Sequence, residues 1–362
     1  MLQHMRVAVL GSGNGGCAVA FDWAQHGHEV SLFDFERFDT TIAAINDAGG
    51  ISSSGDLEGV QELRYTGHDI AQATHDADLI YVVGPSFSTE AFGEAVGPHL
   101  TPDQAVVVCP TSCAGSIVFK RAAGLELEST APLVGDTSTL PYAVRITGPA
   151  TIQVYLKLTD GLLLAALPGS GLDELVELTR EVYPGTAPAD SVLHTTLQNG
   201  NPVIHPSVTL LNAALIERTG GEFNFYEDGI TDGVGRLMAA VDRERMALGD
   251  ALGFEVLSEP AMGVTQGYME HENYTTAYSE APGFAGIKAQ DRLDHRYLTE
   301  DVGYGLVFLS DLGRQIDVPT PTMDAMIKVV SVVLDRDLLA EQARTLDSLG
   351  LGELSREELA QL

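Results

Sequence analysis

Apolar positions in the first half of the chain come in short unbroken runs, separated by polar, glycine-bearing turns. Residues 7–10 (Val-Ala-Val-Leu) are such a run, as are 78–83 and 104–109 after their leading Asp78 and Gln104, all too short for helices and bounded like strands buried on both faces. Residues 29–33 (Glu-Val-Ser-Leu-Phe) read as a further strand with Ser31 inside it. Between them lie segments of helical character at residues 40–48 and 88–100, and residues 173–183 close the series with Leu175, Leu178 and Val182 on one face. Strand and helix in alternation predict a doubly wound parallel α/β sheet, because parallel neighbours need a crossover and a helix supplies it. Further strands are predicted near residues 133–135, 151–156 and 162–167. A hairpin is predicted across the turn-rich segment from Gly49 to Gly59.

The pattern changes between Pro184 and Pro188. Beyond it apolar residues recur with a period near 3.6, at Val208, Leu211 and Leu215, at Val234, Leu237, Met238 and Val241, and at Met323, Met326, Ile327 and Val330. The chain therefore divides into an N-terminal α/β domain of Rossmann type, residues 1–186, and an all-helical C-terminal domain, residues 187–362. A long loop, residues 267–294, interrupts the helices and carries Tyr268, Tyr274, Tyr278 and Phe284. Loops of that length are usually functional or lids, and these four rings are candidates to line a substrate pocket.

The first strand runs into Gly11-Ser12-Gly13-Asn14-Gly15-Gly16 and a helix start, and the second strand ends on Asp34. That context makes the glycine pattern a dinucleotide-binding turn. Gly11 permits the tight strand-to-helix turn, Gly13 lets the backbone approach a pyrophosphate, and Gly16 lets helix and strand pack closely. The phosphates would lie on the helix N-terminus, where unpaired N–H groups favour anions, so Ser12 and Asn14 join the glycines as cofactor-binding candidates. Asp34 stands where a carboxylate accepts hydrogen bonds from the adenosine ribose and repels a 2′-phosphate, which favours NAD over NADP. Arg37, just past the second strand, could contact a 2′-phosphate; Asp34 and Glu36 beside it argue the other way.

Charge changes the picture of partners. Acidic residues outnumber basic ones 51 to 20, the net charge is −31, and the only lysines are Lys120, Lys157, Lys288 and Lys328. The acids are scattered, so they form a charged surface rather than a tail, and a halophilic source is expected. Nucleic acid and anionic membranes are disfavoured as partners, and none is expected, since both need basic footprints. No apolar stretch approaches a membrane span, and residues 1–6 are too short and polar for a signal peptide, so a cytoplasmic protein is expected. Cys17, Cys109 and Cys113 are too few for a disulfide framework. Cys109 and Cys113 lack further ligands for zinc, so no metal site is expected. Cys17 follows the phosphate-binding turn, where a helix N-terminus could lower its pKa and make it oxidation-sensitive.

Two segments of the helical half carry candidate chemistry. Asn201-Pro202-Val203-Ile204-His205-Pro206 begins like a helix, with Asn201 as cap and Pro202 in the first turn. Pro206 then removes the hydrogen bond back to Pro202 and bends that turn, with His205 one turn from Asn201 on the same face. A sequence that damages its own helix suggests a site, although a lone histidine is equally readable as structural. In Arg296-Tyr297-Leu298-Thr299-Glu300-Asp301-Val302-Gly303-Tyr304-Gly305-Leu306, Thr299 is predicted to cap a helix starting at Glu300 and Asp301, with Arg296 just outside. The plain alternative is a capping box with a surface arginine.

With these segments the chain resembles the opine dehydrogenases of the octopine and nopaline type. The likeness runs nearly end to end, through the glycine-rich turn, Gly49-Gly50-Ile51, Thr139-Leu140-Pro141-Tyr142-Ala143-Val144-Arg145 and the two segments above. The resemblance implies a catalytic pair, His205 and Asp301, and a cofactor-binding and closure role for Arg296; Asn201 is grouped with Arg296 as a contact for a substrate or cofactor carboxylate or phosphate. It also implies that an α-keto acid is joined to the amino group of an amino acid, with NADH delivering hydride to the resulting imine. The helical half would then be the substrate domain, and the protein a monomer or homodimer acting on small molecules. Gly303 departs from the family, which often carries proline there, and is expected to loosen the turn after Asp301.

Two other readings compete. One is an NAD(P)-dependent reductase of a small 2-keto acid, resembling ketopantoate reductase. Such enzymes commonly use a lysine of the helical domain, and here that half offers only Lys288 and Lys328. The other is a catalytically silent dinucleotide sensor, which would have no chemical need of His205, Asp301 and Arg296 together.

Overall fold

Strand β1 (Arg6–Leu10) divides its side chains between two cores, Val7 and Val9 entering one and Ala8 and Leu10 the other. Its apolar run is unbroken because both faces of the sheet are covered. In the computed structural model, which describes residues 4–362, the chain continues from β1 through helix α1 (Asn14–Gln25) to β2 (Glu29–Phe33). Helix α2 (Asp39–Ala48) leads to the hairpin of β3 (Ile51–Gly55) and β4 (Gly59–Gln61), followed by β5 (Tyr65–Gly67), α3 (Ile70–Thr74) and β6 (Leu79–Val82). Helix α4 (Thr89–Val96) precedes β7 (Ala105–Val108), and α5 (Gly115–Ala122) precedes β8 (Leu133–Thr137). Strands β9 (Tyr142–Gly148), β10 (Thr151–Lys157) and β11 (Leu162–Ala166) come next, then α6 (Leu172–Arg180) and β12 (Thr186–Pro188).

The main sheet has the order β12-β11-β8-β7-β6-β1-β2-β5. From β5 to β8 all neighbours are parallel, and β11 runs antiparallel to β8. The order reverses between β1 and β6, the switch point at which doubly wound sheets bind ligands beyond their strand ends. Several strands depart from the sequence reading, and the edge strands β5 and β12 join the main sheet without a sequence signal. β10, expected in the main sheet, belongs to a second sheet of order β4-β3-β10-β9, and β9 was not expected at all. The second sheet hides in the sequence because β3 is mostly serine and only one side of β9 and β10 is buried. It covers α1: Tyr142 and Lys157 both reach the buried Asp22 carboxylate at 2.7 Å.

The first compact unit extends to Thr195, beyond the expected boundary at residue 186. β12 still pairs with β11, and the Thr195 hydroxyl donates to the buried Asp136 at 2.5 Å, so the chain stays tied to the sheet. Helix α7 (Val192–Gln198) carries it into the second unit. There follow α8 (Asn201–Leu211), α9 (Ala213–Thr219), α10 (Asp232–Leu252), α11 (Glu259–Thr265), α12 (Thr276–Ser279) and α13 (Arg296–Thr299). A π-helix spans Asp301–Leu306, and α14 (Val307–Gln315), α15 (Pro321–Val333), α16 (Leu338–Glu341) and α17 (Arg356–Leu359) complete the unit. Its elements are helical, as expected, with one isolated bridge between Asn224 and Lys288. Among the described residues no helix is long and apolar enough to cross a membrane.

Leu211 and Leu215, predicted to continue the buried stripe from Val208, are exposed. Asn212 ends α8 by donating to the carbonyls of Val208 and Gly229, and this break resets the helical phase. The long loop also differs from a free lid. Tyr226, Phe284 and Tyr268 stack in succession, Tyr278 is fully buried, and the Tyr274 hydroxyl donates to Asp242 at 2.6 Å. Tyr278 and Phe284 pack the unit's own interior, while Tyr268 and Tyr274 are half-buried.

Candidate active site

In the first unit, Gly11 follows β1 with φ +117°, and a side chain there would meet the Val83 carbonyl at 2.1 Å. Gly16 lies against the Gly11 carbonyl, 1.7 Å from where a Cβ would be. These two glycines shape the turn, while the Cβ side of Gly13 is open to 4 Å. Gly13 caps α1 without a side-chain bond, and no acidic residue occupies the first turn. The first-turn N–H groups of Asn14, Gly15 and Gly16 thus face an uncrowded, acid-free end, which fits a pyrophosphate. Asn14 contributes there through its backbone, because its side-chain oxygen accepts from Ile146 N–H at 2.7 Å.

Ser12 does not turn outward as a phosphate ligand. Its N–H and its hydroxyl both donate to Asp34 Oδ2, at 2.7 and 2.8 Å, and Phe35 N–H donates to Oδ1 at 2.8 Å. The buried carboxylate is therefore fixed at the end of β2 with lone pairs left for ribose hydroxyls. Arg37 lies over the rings of Phe35 and Phe38, 4.7 and 5.1 Å from their centroids. His68, which the sequence did not single out, bonds the Asp34 carbonyl through Nδ1 and the Asp39 carboxylate through Nε2. Those two acceptors hold its pKa above the ordinary value. Cys17 is the reverse of the reactive thiol expected: burial, and then the Asp34 charge, push it up to about 12.

In the second unit, α8 begins at Asn201 with Gly200, not Asn201, in the cap position, and Asn201 makes no capping bond. Asn199 accepts the Asn201 N–H instead, at 2.9 Å. Pro202 lies in the first turn and Pro206 within the helix, as the sequence indicated. The helix expected at Glu300 is also differently built. His295 caps the short α13, accepting the Tyr297 N–H on Nδ1, and Thr299 ends that helix rather than starting one. The chain then widens into the π-helix, with Tyr304 and Gly305 N–H both directed at the Glu300 carbonyl. Gly303 does not leave a slack turn: it is buried, with Leu338 of α16 at 3.7 Å from its Cβ side.

These two segments bring His205 and Asp301 together. Imidazole Nδ1 and carboxylate Oδ2 are 2.8 Å apart, and both residues are buried. The bond leaves Nε2 as the ring nitrogen for chemistry. Burial pushes the Asp301 carboxyl above its usual range, opposed by His205. Arg296 is placed by its first-turn position in α13, where Nε donates to Glu300 at 2.8 Å. Its guanidinium is half exposed beyond that bond. An arginine in that state can fork onto a carboxylate or phosphate. The Asn201 amide has no protein partner among the described residues. His295 is held down to about 4, chiefly by burial and then by Arg296, so it is neutral.

Two family models match the chain. Residues 6–112 match the N-terminus of NAD-dependent glycerol-3-phosphate dehydrogenase, and residues 188–334 match the alpha-helical domain of NAD/NADP octopine/nopaline dehydrogenase. An opine dehydrogenase of Arthrobacter sp. (strain 1C) is 34% identical, covering 98% of each chain. Protein ocs of Agrobacterium vitis is 28% identical over 96% of each. Among solved structures, an octopine dehydrogenase with NADH and L-arginine superposes with a TM-score of 0.75 at 17% identity, covering 97% of this chain and 98% of that one. This last likeness is one of fold.

Proposed function

Since this chain belongs to the opine dehydrogenases and is an NAD-dependent oxidoreductase acting on CH–NH groups, we propose that His205 and Asp301 are its acid–base pair in joining an α-keto acid to an amino acid. The observation that carries the assignment is the buried Nδ1 to Oδ2 bond of 2.8 Å. Asp301 fixes the tautomer, so Nε2 is free to take a proton from the amino acid's ammonium, leaving the neutral amine to attack the keto carbon, and to give that proton to the carbinolamine hydroxyl as it departs as water. When His205 is protonated, Asp301 stabilises the imidazolium across the same bond. Arg296 and Asn201 are assigned to orienting a carboxylate or phosphate. Bound NADH supplies the hydride that reduces the imine carbon. Gly11, Gly13 and Gly16 would shape its pyrophosphate site with the first-turn backbone N–H groups of Asn14, Gly15 and Gly16, and Asp34, held by the Ser12 N–H and hydroxyl, would accept from its ribose.

A 2-keto acid reductase would not need an amine, and a sensor would turn nothing over. NADH oxidation measured with keto acid alone, amino acid alone and both together decides among the three. The opine reading expects turnover only with both, and turnover with a keto acid alone would replace it with the reductase. We place the enzyme in the cytoplasm, on its three buried cysteines, as a monomer or homodimer, and in a halophilic host on its charge.

A further inference from the structure

Beyond its bond to Asp301, the His205 ring has a second close neighbour. Tyr297 lies face to face with it, centroids 3.8 Å apart and planes 19° from parallel, and both residues are buried. Phe225 closes on both rings, edge-on to His205 at 6.1 Å and tilted toward Tyr297 at 5.0 Å. We propose that Tyr297 is a positioning residue for the reaction: its ring holds the imidazole plane and its π-face favours the protonated imidazole. The inference rests on the reading of His205 as the acid–base group.

The local fold explains the placement. Tyr297 and Asp301 are about one turn apart, so both are presented to α8 from one side. The capping bond from His295 Nδ1 pins the Tyr297 backbone. Asp301 therefore controls the ring through Nδ1, while Tyr297 controls it through a face, and Nε2 remains as the working atom. An aromatic face carries the negative part of the ring quadrupole, and a cation over it is stabilised more strongly when water is excluded.

Other charges near the imidazole do not substitute for this contact. From the segment around α13 come Asp301, Glu300 and Arg296, the last two paired with each other, and the neutral His295. Helix α10, packed against α8, brings Asp242 and Arg245, also paired with each other. On α9, Glu217 and Arg218 are exposed. Tyr297 is the aromatic face stacked on His205.

The test replaces Tyr297 by phenylalanine and by phenylalanines bearing one, three and five fluorines, which keep the packing while weakening and then reversing the ring quadrupole. The His205 ring is followed by NMR titration, assigned by its loss in His205→Ala, together with the pH profile of kcat/KM. Tyr297→Phe is expected to titrate near wild type. The fluorinated series should lower the His205 pKa stepwise, by about half to one pH unit in total, with the acidic limb of the rate profile moving alike. Tyr297→Leu should lower kcat roughly tenfold. A flat titration across the fluorinated series overturns the electronic role, and wild-type kcat in Tyr297→Leu overturns the positioning role. Activity surviving in His205→Ala would instead remove the acid–base assignment, and this inference with it.

Discussion

Pro202 of α8 lies directly over Gly305 of the π-helix, its Cγ 2.9 Å from where a Cβ on residue 305 would stand. A proline ring cannot swing aside as a long side chain can, so this contact sets how closely the segment holding Asp301 approaches the helix holding His205. Gly305→Ala is expected to separate them, lowering kcat about tenfold or more while NADH affinity stays near wild type. Stopped-flow turnover with fluorescence titration of NADH checks this, and an unchanged kcat would show that the contact is not limiting.

Removing the imidazole by His205→Ala should cost about 10² to 10⁴ in kcat, the usual value of a general acid–base group. Asp301→Asn should cost a comparable amount. If the two act as one unit, the double variant will be little worse than either single one. Costs that multiply would show two independent roles.

Ser12 supplies two of the three hydrogen bonds that fix Asp34. Ser12→Ala removes the hydroxyl bond and keeps the N–H bond, and should raise KM for NADH several-fold without admitting NADPH. Asp34→Ser should narrow the preference for NADH, because the charge that repels a 2′-phosphate is gone. Comparing kcat/KM for the two cofactors separates these outcomes. A wild-type preference for NADPH would transfer control to Arg37.

The raised pKa of His68 gives a pH dependence of defined sign. Its bonds to the Asp34 carbonyl and the Asp39 carboxylate favour the charged ring, so their stabilisation is fully present below the ordinary value of 6.5. It is lost as pH rises through the higher folded value. The Tm gap between wild type and His68→Gln should therefore be widest in mild acid and shrink toward alkaline pH. A gap that grows with pH would contradict the bonding described.

A net charge of −31 stores repulsion that salt screens. Tm should rise steeply from low salt to multimolar KCl. A midpoint that does not move over that range would argue against a halophilic host.

The sequence exposed what depends on short-range rules. β1, the glycine turn, β2 and Asp34 are consecutive, and the turn needs glycine at Gly11 and Gly16 for steric reasons visible in their spacing alone. His205 and Asp301 came from resemblance, because nothing local says that residues so far apart in sequence meet. The cap assignments at Asn201 and Thr299 failed where tertiary packing governed. Asn199 and His295 satisfy those N–H groups instead, and no periodicity marks a π-turn. The sequence does not show where the Ser12 hydroxyl turns, because its partner Asp34 is brought beside it only when β2 pairs with β1. The ring of Tyr297 on His205 had no sequence signal beyond its position next to Arg296.

The π-helix at Asp301–Leu306 carries one residue more than the α-helical path between the same ends would need. Loss of any single residue from 302 to 304 would let the chain relax into an ordinary α-helix continuous with α14. Each residue of an α-helix turns it by about 100°, so Asp301 would rotate off His205 although every side chain of the pair survived. The meeting of His205 and Asp301 is thus a matter of counting, held by one surplus residue. An in-frame loss of one codon there would yield a folded, nucleotide-binding protein that has lost its chemistry.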